Sequence, residues 1–461
     1  MTGPFFRLPK AVAVIAFCLI GCSFGPAIEA ETSIAQFYTS VTPATDNSPA
    51  NPDPALTTEF VEPTLPGSTL AAPEDTTVVA APEQTTTELS PSARRFHYTL
   101  SFDVRAAYDD NVTLSHNDPV DDLYGRIQAI VTLGLGDTEG GEGNHLGIVY
   151  TPSYYFYSDH SNFNAVEHLL RLEGLYRFSR LTLGLIEDIQ SIESSHLESH
   201  GTTGTTINAS NIDIGVRQRL TTYFTRLNAT YDFSGKTSLT AGVDYTTTDY
   251  ENSISSRTVM ATLGIDYKLG PKFGVGLAGS GARNFVDAPS PDQSFEQINA
   301  RMTYEITGKV TANASGGIEF RQFEGGTSDH TSPVFQVGIN YQPFDGTALA
   351  LNASRQNLNS AVLSNQDYAS TQVTATLRQR LFQRLSISVS GGYQNLSYFN
   401  TVNGSDTARE DNYYFIQPGI DVTITRYWSA GAFYLHRIND STITLFGFDE
   451  NQFGVHSQVT F

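Results

Sequence analysis

The chain beyond about residue 94 alternates polar and apolar positions with a period of two, as expected when the two faces of a strand meet different environments. Toward the C-terminus, Phe453, Val455, Val459 and Phe461 lie on one face, with Ser457 among them. Gln452, Gly454, His456, Gln458 and Thr460 lie on the other. Val259, Ala261, Leu263, Ile265 and Tyr267 oppose Thr258, Met260, Thr262, Gly264, Asp266 and Lys268, and Val373, Ala375 and Leu377 oppose Gln372, Thr374, Thr376 and Arg378. A soluble sandwich alternates too, so the decision falls to the connections.

Connection lengths also alternate. Short turns are expected at 178–180, 234–236, 270–272, 307–309, 344–346, 382–384 and 425–427, and longer polar loops at 193–211, 287–293, 324–331, 400–411 and 440–450. Tight periplasmic turns alternating with long external loops are the wiring of an up-and-down outer-membrane barrel. The pattern predicts an all-β, transmembrane antiparallel barrel over 94–461 with about 18 strands, or about 16 if one hairpin is misplaced. The sixth strand is expected over 211–233. Tyr98, Tyr231, Phe233, Tyr267, Phe273, Tyr304, Tyr341, Phe344, Tyr427, Trp428 and Phe461 cluster near the short turns, where a periplasmic-side aromatic girdle belongs.

With the apolar face turned outward, the opposite register places Asp103, Arg105, Arg126, Arg171, Glu173, Arg226, Asp244, Asp266, Arg301, Glu305, Glu319, Arg378, Arg380, Asp421 and Arg437 inside. Charges facing lipid at the midplane cost several kcal/mol each, so confining them to one face implies a wet or polar-packed lumen. Two uses remain open. They could line a channel with weak ion preference, or pair across neighbouring strands and merely satisfy one another. No outward stretch reads as polar enough to mark a subunit interface.

Charged residues are 16% of the 461-residue chain, below the typical share of about a quarter. With 27 basic against 48 acidic residues and no basic cluster, nucleic acid is excluded as a partner. Both cysteines, Cys18 and Cys22, precede residue 30, so the body has no thiol for a disulfide, metal or nucleophile. Arg7 and Lys10 followed by an apolar run form a secretory signal over 1–30. Cleavage before Cys22, with lipidation of that residue, stands beside cleavage near Ala30. Residues 31–93 are rich in Thr, Pro and acidic side chains, the composition of a disordered periplasmic tether.

The segment Tyr108-Asp109-Asp110-Asn111-Val112 at the end of the first strand, the regular hairpins after it and the terminal Phe461 together carry a resemblance. Over about 94–461 the chain resembles the outer-membrane β-barrel porins associated with bacterial exopolysaccharide loci. That resemblance implies an outer-membrane location, an environment of outer-membrane lipid, and passage of polysaccharide or small solutes. Phe453, Val455, Val459 and Phe461 resemble the signal read by the barrel-assembly machinery. No catalytic motif, cofactor or metal site is expected. The ten histidines are scattered, and Gly-x-Ser-x-Gly, His-Glu-x-x-His and P-loop patterns are missing. The acidic groups Asp118 with Asp121 and Asp122, Glu410 with Asp411, and Asp449 with Glu450 read as solvated loop carboxylates, with divalent-cation binding as the alternative.

Overall fold

A computed structural model describes residues 96–136, 143–196, 209–325, 329–382, 384–402 and 409–461. The signal segment, Cys22 and the tether over 31–93 lie outside the described residues. Eighteen antiparallel strands form one sheet: β1 Phe96–Asp109, β2 Asp122–Gly136, β3 His145–Tyr157, β4 Ala165–Arg177, β5 Leu181–Glu193, β6 Arg219–Asp232, β7 Thr237–Tyr250, β8 Ser256–Gly270 and β9 Phe273–Val286. The series continues with β10 Gln293–Thr307, β11 Val310–Phe323, β12 His330–Tyr341, β13 Thr347–Asn359, β14 Gln366–Leu381, β15 Leu385–Asn400, β16 Glu410–Thr425, β17 Trp428–Ser441 and β18 Phe448–Thr460. Each strand pairs with its neighbours in sequence, and β1 pairs with β18 from Ser101↔Thr460 to Asp109↔Gln452.

Closure leaves no sheet edge, the condition for placing strands in hydrocarbon, where an unpaired N–H or C=O has no water to bond. The last residue completes the seam: the Leu100 and Phe461 amides each donate to the other's carbonyl, at 3.3 and 2.8 Å. The outer surface is apolar in the register of the alternation. Phe102, Val104, Leu227, Val243, Leu263 and Val455 all stand exposed on it, while Asp103, Arg226 and Asp244 on the adjacent positions are buried inside. The turn-side aromatics Tyr98, Tyr231, Phe233, Tyr267, Tyr304, Tyr341, Phe344, Tyr427, Trp428 and Phe461 are also exposed, forming a belt suited to the membrane interface.

The sixth strand departs from the sequence reading. Residues 211–218 carry Ile212, Ile214 and Val216 at period two, yet β6 begins only at Arg219 and a short helix, α1 Ala209–Ile214, precedes it. Two of the three apolar side chains find burial in the barrel interior instead of on the lipid face: Ile212 and Ile214 are almost completely enclosed, while Val216 stays exposed. Gly215, at φ +61°, turns the chain out of the helix, and a Cβ there would sit 2.7 Å from the Phe446 ring.

Candidate channel interior

The inward register brings the charged residues together in two different ways. From mid-height to the short turns they form partly hydrated pairs. Arg171 on β4 lies 3.4 Å from both Glu173 and Asp188, with side-chain exposures of 20%, 27% and 18%. Glu173 also meets His145 at 3.5 Å, Arg301 meets Asp266 at 2.7 Å, and His456 meets Asp421 at 2.9 Å. At mid-height, Arg226 bonds both oxygens of Asp244, at 2.9 and 3.1 Å, across β6 and β7. Glu305, Arg378 and Arg380 occupy inward ladder positions on the same side.

Toward the long loops the interior is packed. Arg126 donates to Asp103 at 2.5 Å, and Arg105 stacks on Phe433 at 4.6 Å. Arg321 bonds Glu319, Asp367 and Gln293 at 2.8, 2.8 and 2.9 Å; its side chain and those of Glu319 and Asp367 are each 2% exposed. Arg437 and Glu450, both fully enclosed, pair across β17 and β18. Every guanidinium here has a carboxylate or ring against it, as burial of such a charge requires.

The loop after β5 produces this difference. β5 and β6 stand opposite β14 and β15 in an 18-membered ring, yet the loop's residues contact that far wall. Ile212 packs into a core with Leu114, Tyr368, Leu396, Tyr413, Phe415 and Phe448. The Asp213 carboxylate accepts bonds from Ser360 Oγ, the Ala361 amide and Tyr398 Oη at 2.8, 2.6 and 2.8 Å. Arg409 donates to the carbonyls of Ile212 and Asp213 at 3.0 and 2.9 Å, pairs with Asp411 at 2.6 Å, and lies 3.6 Å from the Phe446 ring centre. At the loop's start, Arg437 donates to the Ser195 carbonyl at 3.0 Å. There too, His196 bridges Glu167 and Tyr157 Oη, each at 2.7 Å. Thus α1 is a strut across the outer mouth. Burial pushes the Asp213 carboxyl above its usual range, opposed by Arg409 and the three donors.

Of the loop carboxylates read as solvated, Asp118, Asp121, Glu410 and Asp449 are exposed, whereas Asp122, Asp411 and Glu450 are buried and engaged. Asp122 accepts from the amides of Ser158, Asp159 and His160, Asp411 holds Arg409, and Glu450 holds Arg437. Asp213, Arg409 and the Glu167–His196 pair escaped the sequence reading. Arg409 had one signal, as the single basic residue of an otherwise polar and acidic loop over 400–411.

A closed barrel with an apolar outer wall, an interfacial aromatic belt and charges gathered inside defines a porin-type protein of the bacterial outer membrane. Residues 182–457 match the family described as outer membrane beta-barrel porin, MtrB/PioB, and the chain belongs to that family. No curated protein matches it. Among solved structures, OpdO of Pseudomonas aeruginosa is similar at 12% identity over 79% of this chain and 97% of that one, with a TM-score of 0.40. OccAB3 of Acinetobacter baumannii is similar at 11% identity over 79% and 99%, also at 0.40. Family and fold both point to a channel rather than an enzyme.

Proposed function

We propose that this barrel is a passive porin for small polar solutes, with an open mixed-charge vestibule on the periplasmic side and a mouth narrowed by the strut after β5. The observation that carries the reading is the axial contrast in the lumen. Charged pairs such as Arg171 with Asp188 at mid-height and Arg301 with Asp266 nearer the turns keep some contact with water, whereas those beneath the long loops are sealed by α1 and its partners. Basic and acidic groups alternate along the inner wall, so the pore discriminates weakly by charge. Phe453, Val455, Val459 and Phe461, outward on the strand that closes the barrel, would present the assembly signal to the barrel-assembly machinery.

A second reading, a non-conducting envelope barrel whose outer loops bind a partner, draws support from the same strut. Planar-bilayer recording of refolded protein separates the two. The porin reading expects stepwise currents that grow when residues 209–214 are deleted; silence from both proteins sinks it. Transport of polysaccharide is the extension that the exopolysaccharide-locus resemblance suggests. Unchanged polysaccharide output after gene deletion would remove that extension and leave the barrel intact.

A further inference from the structure

The outer wall, expected to be uniformly apolar, contains one break. On β5 the register that turns Asp188 inward to Arg171 turns Glu187 outward, between Leu172 of β4 and Thr225 of β6. Glu187 is the seventh of the thirteen residues of β5, near mid-height. Every other outward-facing carboxylate, guanidinium, ammonium or imidazole on the described strands, such as Glu193, Arg219, Arg283 and His436, stands in the outer half of its strand. The Glu187 carboxyl accepts a bond from Thr225 Oγ1 at 2.5 Å. Above it on the same wall, Ser191 meets Thr221 at 3.2 Å and His168 meets Tyr150 at 2.9 Å. A polar track therefore climbs the outside of β3 to β6, surrounded by Leu172, Leu185 and Leu227.

A carboxyl facing acyl chains is costly, and an ionisable group at membrane depth ordinarily has a protein partner. We infer that the outer wall of β4 to β6 is an interface with a second copy of this chain, with Glu187 and Thr225 at its centre. Symmetry favours this occupant over another. Copies in one bilayer share its orientation, so an axis relating them runs along the membrane normal and each residue meets partner groups at its own height. At the height of Glu187, a second copy is certain to offer a carboxyl and a hydroxyl, which lipid chains cannot. The Thr225 hydroxyl spends its one proton on its own Glu187, so the bond across the axis is carboxyl to carboxyl: in the neutral form each Glu187 has an O–H to donate and lone pairs to accept with, as a paired acid does. This inference does not depend on whether the lumen conducts.

The test is cross-linking in native outer-membrane vesicles. Leu227→Cys places a thiol on the exposed face beside Thr225, and Leu377→Cys places one on the opposite wall. Cys18 and Cys22 are common to both variants, so any contribution from them appears in both. A short bismaleimide should join copies of Leu227→Cys into dimers and leave Leu377→Cys monomeric. Adding Glu187→Leu should reduce that dimer at least tenfold, whereas Glu187→Gln, which keeps a hydrogen-bonding group at the same depth, should retain it. Heat-modifiable migration confirms that each variant is folded. Independently of any variant, the mass of the wild-type protein extracted into nanodiscs should exceed one barrel. A single-barrel mass, equal cross-linking on both walls, or a dimer indifferent to Glu187→Leu would each overturn the interface.

Discussion

The two ends of the lumen are built from the same kinds of residue and behave differently. On the turn side of the mouth, from mid-height down, Arg171 lies 3.4 Å from both Glu173 and Asp188 with about a fifth to a quarter of each side chain still wet. Beneath the long loops, Arg437 with Glu450 and Arg409 with Asp411 are entirely enclosed. The wall is not the cause, since β-strand alternation supplies polar inward positions along the whole barrel. The long loops are the cause: they carry apolar side chains such as Leu114, Ile212 and Phe446 into the outer mouth and displace water from the charges there. Desolvation then changes what each charge contributes. A wet pair can lose a partner and be rehydrated, while a dry pair cannot.

The sharpest way to break the contrast is to remove the dry cation that holds the strut. Arg409→Ala leaves Asp411 enclosed without its counter-charge and frees the carbonyls of Ile212 and Asp213. Loss of one partner from a buried pair costs about 3–5 kcal/mol, enough to move a closed-to-open ratio by about two to three and a half powers of ten. Single-channel conductance should rise several-fold while the barrel remains heat-modifiable. Unchanged conductance would mean that α1 does not narrow the mouth. Ile212→Ala should act in the same direction with less force, because deleting a buried aliphatic side chain costs about 2–4 kcal/mol when the site cannot collapse. Brief openings to the Arg409→Ala conductance level are the expected trace.

At the other end the effects should be electrical rather than structural. Arg171→Ala removes a partner that water still reaches, so stability should fall by less than it does for Arg409→Ala, whose pair is fully enclosed. Glu173 and Asp188 then lose the guanidinium they share at one level of the lumen, and the reversal potential in a salt gradient should shift toward cation preference. A stability loss as large as that of Arg409→Ala would show that the turn-side lumen is as dry as the mouth, and the comparison would collapse.

How much of this was legible in the sequence follows from which forces are local. Period-two alternation and turn spacing are local, so the strand number and the sorting of each strand into two chemically distinct faces could be read directly. Residues 211–218 show where locality fails. Ile212, Ile214 and Val216 have strand periodicity, but Ile212 is buried against β14 to β16, half a circumference away, and nothing within the segment signals that contact. Arg409 and Asp213 lie 196 positions apart in the chain, so their meeting depends on loops converging over a closed ring. The Glu187 interruption was visible as a letter but not as a feature. Its meaning needed the β4–β5–β6 register, which decides that Asp188 and not Glu187 faces the lumen.

The smallest expected effect is a pH dependence of the mouth, and its sign follows from Asp213. The groups around its carboxyl are Arg409, Tyr398, Ser360 and the Ala361 amide, with Asp411 and Tyr368 behind them; burial is the largest influence and raises its pKa. In an open loop surrounded by water the same carboxyl returns toward its ordinary value. Closing the strut therefore favours proton uptake at Asp213. The resulting contribution to closure is fully present below the open-loop pKa and is lost as pH rises through the higher, closed-loop one. Conductance should accordingly increase from acid toward neutral pH. Asp213→Asn keeps the shape and removes the titration, so its conductance should vary less with pH than that of the wild-type protein. A wild-type barrel that instead opens as pH falls would show that the ion pair with Arg409 outweighs burial at this carboxyl, and that closure depends on the charge of Asp213 rather than on its neutralisation.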